Sequence, residues 1–213
     1  MTDIPIVHPA ETLPPGVGLP TARAAARDCH ACDLWERATQ TVFGEGRSKA
    51  RLALVGEQPG DQEDLKGHVF VGPAGRILDE ALEAAGIDRE QVFVTNVVKH
   101  FRWRPSGKRR LHERPNAGHI RACRPWLDLE LDIVQPRVVV ALGATAAQAL
   151  IAPDFRITEG RGVVLDPATP GGPLLLATIH PSAVLRVRSA DERAASRQML
   201  ADDLALAARA AAA

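Results

Sequence analysis

Four groups of residues in this chain have types and spacings that suit chemistry. Cys29-x-x-Cys32 and Cys123 supply three thiols. An odd set cannot close into disulfides, and a Cys-x-x-Cys pair in a reducing compartment reads as a metal or redox site. Gly56-Glu57-Gln58-Pro59-Gly60 packs two glycines and a proline into a tight turn from which one carboxylate and one amide project. That turn lacks the Lys-Ser/Thr of a Walker loop and the full Rossmann glycine set, which disfavours nucleoside triphosphate chemistry. His180-Pro181-Ser182 puts an imidazole and a hydroxyl on one rigid turn, and Lys108-Arg109-Arg110-Leu111-His112 sets an imidazole beside three cations that suit phosphates. Read alone, each group also has a plain meaning: a strand cap, a structural histidine, or a solvated basic loop.

The elements that must position these groups are legible as apolar runs. Arg51–Val55, Val92–Thr95, Arg137–Leu142 and Leu174–Ile179 read as buried strands ending at Gly, Asn or His. Pro73 suits a first helical turn, and Ile77, Leu78, Ala81, Leu82 and Ala85 follow at helical spacing until Gly86. Further helices are expected over about 117–133, with Pro125 bending or breaking the first of them, about 145–151, and 191–208, fraying after Met199. The fold class is therefore α/β: a three-layer α/β/α sandwich around a mainly parallel four-stranded sheet. Ligands of such sheets sit beyond the carboxyl ends of the strands, where Glu57, Gln58, Asn96 and His180 would meet.

At 213 residues, 46% hydrophobic and 24% charged, the chain suits one domain with a full core. We expect a mobile proline-rich tail over residues 1–20 and a single domain over 21–213. Lysine plus arginine balance aspartate plus glutamate at 26 each, so net charge points to no partner. The basic residues nevertheless cluster at Lys99, Arg102, Arg104, Lys108, Arg109, Arg110, Arg114, Arg121 and Arg124, against Glu113 alone, which fits a nucleic-acid-facing loop. Without an apolar stretch of about 18 residues or a leader pattern, a cytosolic protein is expected.

The ordered set of GEQPG, Phe70 with Gly72-Pro73-Ala74-Gly75-Arg76, Thr95-Asn96 and His180-Pro181-Ser182 resembles the uracil-DNA glycosylase superfamily, in particular its iron-sulfur members. The resemblance runs from about Cys29 to about Leu204. It implies base flipping into a pocket, with uracil-containing DNA, single- or double-stranded, as partner; a monomer is expected, with no nucleotide cofactor and no membrane. It further implies that Phe70 stacks on uracil while Asn96 reads the O4 and N3–H edge. His180 would donate to O2 as charge grows there, and Glu57 would supply negative charge near the sugar. Gln58 is placed among the uracil-binding residues, although the family more usually has a small residue there. Lys108, Arg109, Arg110 and Ser182 are the expected DNA contacts.

In the same family a cysteine follows the Thr-Asn motif, and here His100 occupies that place. The resemblance thus implies a 4Fe-4S cluster held by Cys29, Cys32, His100 and Cys123, while zinc would accept the same donors. KRRLH is similar to the KRRIH loop of the cross-linking branch, UdgX. That similarity implies that His112 attacks C1′ of the sugar after uracil leaves and stays bonded to the DNA, with Glu57 or Glu113 as proton acceptor. The rival readings are a turnover glycosylase using water and a non-catalytic metal module that binds DNA. The remaining histidines, His8, His30, His68 and His119, carry no motif and are expected to serve packing or surface roles.

Overall fold

The structure, a computed structural model, describes residues 8–213. Its strands are β1 (Glu45–Gly46), β2 (Leu52–Gly56), β3 (Phe93–Asn96), β4 (Trp103–Ser106), β5 (Arg109–His112), β6 (Val138–Leu142), β7 (Val164–Leu165) and β8 (Leu174–Thr178). The helices are α1 (Leu19–Ala26), α2 (Asp61–Lys66), α3 (Pro73–Ala84), α4 (Ala117–Val134), α5 (Ala144–Leu150), α6 (Ile157–Gly160), α7 (Pro181–Arg186) and α8 (Ala190–Ala212). The main sheet runs β1-β3-β2-β6-β8-β7. Its four central strands are parallel, as expected, and the two-residue strands β1 and β7 add antiparallel edges too short to leave a hydrophobic signature.

The central strands are buried on both faces, which is why they read as unbroken apolar runs. Ala53, Val55, Val139, Ala141 and Ala177 face a layer containing α1, α4 and α5, where Trp126 and Leu127 are buried. Leu52, Leu54, Val138, Val140, Leu142 and Leu176 face α3 and α8, where Leu78, Leu82, Leu200 and Leu204 close the second core. This alternation is the period-two geometry of a strand.

Three expectations are corrected. Helix α4 continues through Pro125, because a missing amide removes only one helical bond while Cys123, Trp126, Leu127 and Glu130 anchor both sides of it in the core. Helix α8 does not fray after Met199: Leu200, Ala201, Leu204, Ala207 and Ala211 are buried, the small alanines letting it lie close on its neighbours. The basic segment 104–114 is not a loop but the antiparallel hairpin β4–β5, turned at Gly107-Lys108 with Gly107 at φ 59°.

Within the stretch expected to be a tail, residues 9–12 form a 3-10 helix with Ala10 buried, and Leu19 is buried at the start of α1. Residues 1–7 of that expectation lie outside the described residues. Among the described residues no helix is long and apolar enough to cross a membrane.

Candidate active site

The carboxyl ends of β2, β3, β6 and β8 open into a cavity of about 400 Å³. Glu57, Gln58, Phe70, Asn96, His112 and His180, drawn from separate segments of the sequence, all line it. The parallel register puts Gly56 beside Asn96, and the chain beyond stays paired, with Val97 N–H donating to Gly56 O and Val98 N–H to Glu57 O. A Cβ on Gly56 would lie 2.3 Å from Asn96 Oδ1 and 2.7 Å from the Phe70 ring, so only glycine lets both side chains crowd this turn.

Phe70 is held in the left-handed region at φ 53°, unusual for a bulky residue. Its carbonyl oxygen would lie 1.7 Å from a Cβ at Gly75, which explains the second glycine of the GPAGR run. The ring sits 5.9 Å from that of His180, tilted by 31°. Asn96 is buried, and its Oδ1 has no hydrogen-bond partner among the described residues. A buried, unpaired amide oxygen costs stability unless a ligand answers it.

His180 is a neutral donor by construction. Its Nδ1 accepts the Ser182 backbone N–H at 3.1 Å and meets Ser182 Oγ at 2.8 Å. Burial lowers its pKa to about 4, against the raising influence of Glu57, with the Arg186 and His112 charges adding to the fall. An Nδ1 that accepts leaves the proton of the neutral ring on Nε2. Ser182, expected to touch DNA, thus orients His180.

Glu57 is the charged counterpart. Burial alone would raise its pKa, but hydrogen bonds from His112 and Thr145 and the charges of His112 and His180 outweigh that and hold it below the ordinary value. Oε1 lies 3.3 Å from His112 Nε2, and Oε2 accepts from Thr145 Oγ1, which in turn accepts from Arg114 Nε at 3.0 Å. Thr145 was not singled out in the sequence, and Arg114 was named only as one of the clustered basic residues. Thr145 follows β6 at the same sheet edge as the other site residues, and that position was the available signal.

The hairpin brings His112 to the cavity and leaves it half exposed. Gln58 holds its base: Nε2 donates to the carbonyls of Arg102 at 3.1 Å and Glu113 at 3.0 Å, and Oε1 accepts the Arg102 N–H at 3.2 Å. The Gln58 amide, expected to bind the base, is thereby committed to the hairpin. Arg110 is also turned inward. Nε meets Asp61 Oδ1 and Nη1 meets the buried Asp64 Oδ2, both at 2.6 Å, while the guanidinium lies 5.5 Å from the ring centres of Phe101 and Trp103. Such a forked, stacked arginine anchors a strand and leaves no free face for a phosphate.

The basic cluster is largely engaged internally. Lys99 is buried against Glu130, Arg102 and Arg104 approach Glu113, and Arg124 pairs with Asp128. Lys108 and Arg109 at the hairpin tip are exposed and form no ion pair among the described residues.

Cys29, Cys32 and Cys123 are free thiols that feel one another's charge. Burial pushes the Cys123 thiol up to about 12, the Lys99 charge and backbone N–H pull it down, and the other two cysteines add to the rise. Burial also raises Cys32. Cys29 Sγ accepts the Trp126 indole N–H at 3.1 Å, and Cys123 Sγ accepts the Lys99 backbone N–H at 3.2 Å. His100 is buried, its Nε2 is 2.9 Å from Thr41 Oγ1, and burial lowers its pKa to about 4, with Asp64 opposing and His30 reinforcing. Among the described residues no three His, Cys, Asp or Glu side chains stand close enough to share one metal ion. Soft sulfurs, two of them buried and each of those two receiving an N–H bond, have the chemistry of ligands to a larger soft-metal group.

A family model described as the Uracil DNA glycosylase superfamily matches residues 43–205. The chain is 40% identical over 168 residues to a type-4 uracil-DNA glycosylase of Thermotoga maritima, covering 78% of this chain and 83% of that protein. It is 39% identical over 165 residues to the type-4 enzyme of Pyrobaculum aerophilum, covering 75% and 81%, and 39% identical over 162 residues to that of Archaeoglobus fulgidus, covering 74% and 78%. With its parallel sheet and the polar cavity at that sheet's carboxyl edge, this chain belongs to the uracil-DNA glycosylase superfamily.

Proposed function

We propose that this protein excises uracil from DNA and then captures the abasic sugar through His112. The observation that carries the second half is the pairing of His112 with Glu57 at 3.3 Å on the wall of the cavity that also holds Phe70, Asn96 and His180. Uracil enters the cavity flipped out of the DNA stack, with Phe70 against its face. The Asn96 Oδ1 that lacks a partner accepts N3–H, and the amide nitrogen donates to O4. Cytosine presents the reversed edge and is rejected.

As the C1′–N1 bond breaks, its electron pair leaves with uracil, and His180 Nε2–H meets the charge that develops on O2. A neutral imidazole with a low pKa serves as a donor without surrendering its proton. Glu57, held ionised, stabilises the cation-like sugar. In capture, a ring-nitrogen lone pair of His112 bonds C1′. The imidazolium so formed releases the proton of its other ring nitrogen, for which Glu57 is the nearer carboxylate, Glu113 being turned towards Arg102 and Arg104. Glu57 passes that proton on through solvent to the departing uracil anion, so the proton His112 loses is the one uracil gains and both products are neutral.

Cys29, Cys32, His100 and Cys123 would hold a 4Fe-4S cluster, which supplies a structural cross-link between α4 and the segment after β3. Cysteines without disulfide partners suit a reducing cytosol, and we take the active form to be a monomer. The test is stoichiometry with uracil-containing oligonucleotide in excess. One uracil released per protein is expected, and sustained release of many would leave a turnover glycosylase that uses water.

A further inference from the structure

Lys99 is the one charged side chain of the basic segment that is wholly enclosed, and neither base excision nor capture uses it. Its Nζ donates to Thr95 Oγ1 at 2.7 Å, to the Asn96 carbonyl at 2.7 Å and to Glu130 Oε2 at 2.6 Å. Glu130, equally buried, accepts from Thr95 Oγ1 at 2.6 Å and, through Oε1, from the Gly44 N–H at 2.8 Å. All three ammonium protons are placed. The Lys99 backbone N–H donates to Cys123 Sγ, and His100 follows in the chain. A single residue therefore grips the peptide of the base-reading asparagine with its side chain and a cysteine of the metal site with its backbone.

Enclosing an ion pair is a poor route to stability, since apolar or neutral isosteres often serve as well. Its advantage is a fixed geometry, because a charge in a dry interior tolerates only the arrangement that satisfies it. Here that arrangement sets the end of β3, where the Asn96 carbonyl has left the strand ladder. The Asn96 amide must meet a base edge within about 0.5 Å, and among the described residues no side-chain hydrogen bond orients it.

We propose that Lys99, held by Glu130, is a positioning residue that fixes Asn96 for base reading and ties the base pocket to the cysteine site. The inference rests on the pocket being the uracil site proposed above. It also gives the cluster a role beyond holding the fold: loosening Cys123 would loosen the asparagine.

The test uses the full, cluster-loaded chain and the double variant Lys99→Met, Glu130→Gln, which removes both charges but leaves Gly44 an acceptor. Three quantities are compared with wild type: visible absorbance of the cluster, affinity for an oligonucleotide bearing a baseless sugar analogue, and the single-turnover rate of uracil release at saturating protein. We expect cluster and affinity to stay within about twofold and the saturated rate to fall roughly 100-fold, the scale of an ångström-level misplacement. The preference for uracil over cytosine should narrow with it. A saturated rate and base preference equal to wild type, whatever the change in melting temperature, would overturn the proposal. If the double variant does not fold, Thr95→Val, which removes only the hydroxyl between Lys99 and Glu130, provides the same readout with a smaller expected loss, and an unchanged rate there is again contrary. Wild type that releases no uracil would instead remove the glycosylase reading, and this inference with it.

Discussion

His112 Nε2 and Glu57 Oε1 face each other at 3.3 Å across the cavity wall, the imidazole on a hairpin and the carboxylate on the turn after β2. The two segments are joined at a second point, where Gln58, next to Glu57, holds the backbone of Arg102 and Glu113. The distance between imidazole and carboxylate is thus set by a three-bond clamp one residue away. Changes to the clamp should therefore alter what happens after the base leaves more than they alter base removal.

Gln58→Ala removes all three hydrogen bonds to the hairpin. Uracil release is expected to stay within about threefold of wild type, while the fraction of events ending in a covalent bond falls and water takes the difference. Counting released uracil against gel-stable adduct measures the partition. Equal partition in variant and wild type would show that the clamp does not control capture.

Arg110→Met tests the hairpin's other anchor. It leaves Asp64, which is fully buried, facing Asp61 without its cation, and breaking a buried pair in this way costs about 3 kcal/mol. Denaturant unfolding should report that loss. The salt dependence of DNA binding should be unchanged, because Arg110 has no free face for a phosphate, whereas Lys108→Ala should reduce the salt slope by about one charge. A reduced slope in Arg110→Met would return that residue to the phosphate contacts.

Asn96→Ala separates function from stability. The unpaired buried Oδ1 disappears, so stability should hold or rise by about 1 kcal/mol. Uracil release should fall about 100-fold or more, as when a single oxyanion or base-reading donor is deleted. A variant that loses stability and keeps its rate would make Asn96 a structural residue.

The low pKa of His180, about 4, has a signed consequence. Between pH 6.5 and about 4 the unfolded chain takes up a proton at this residue that the folded chain refuses. Its contribution therefore lowers stability as the pH falls through that window, with a slope approaching about 1.4 kcal/mol per pH unit. Glu57 follows the depressed-carboxylate rule, its contribution being full above the ordinary carboxylate value and lost as pH falls through the lower folded one. Urea unfolding of wild type and His180→Asn across this range isolates the histidine, and the two curves should diverge as the pH rises from about 4 to 6.5. Parallel curves would contradict a buried neutral His180.

The sheet was legible because its four central strands are buried on both faces and so appear as apolar runs, and because ligands of such sheets gather at one edge. Glu57, Asn96 and His180 followed from that rule. The hairpin was not legible: Trp103-Arg104-Pro105-Ser106 and Arg109-Arg110-Leu111-His112 alternate no apolar pattern, and Pro105 argues against a strand. Only the Gly107-Lys108 turn pointed to it. The destinations of Gln58, Arg110 and Lys99 depend on partners remote in sequence, at Arg102 and Glu113, Asp61 and Asp64, and Glu130, and no local pattern announces a partner at such a distance. Nor does a count of charges show which of the basic residues between 99 and 124 meet an internal acceptor, as Lys99, Arg110 and Arg124 do, and which stay exposed, as Lys108 and Arg109 do.

The measurement that bears most directly on the account is a denaturing gel of wild type and His112→Gly after incubation with a uracil-containing oligonucleotide. Capture by His112 predicts a slow-migrating, denaturant-stable species with wild type, and with the variant its disappearance together with continued release of uracil. An unchanged slow species in the variant would contradict capture by His112, and wild type that yields only cleavable abasic DNA would contradict capture altogether.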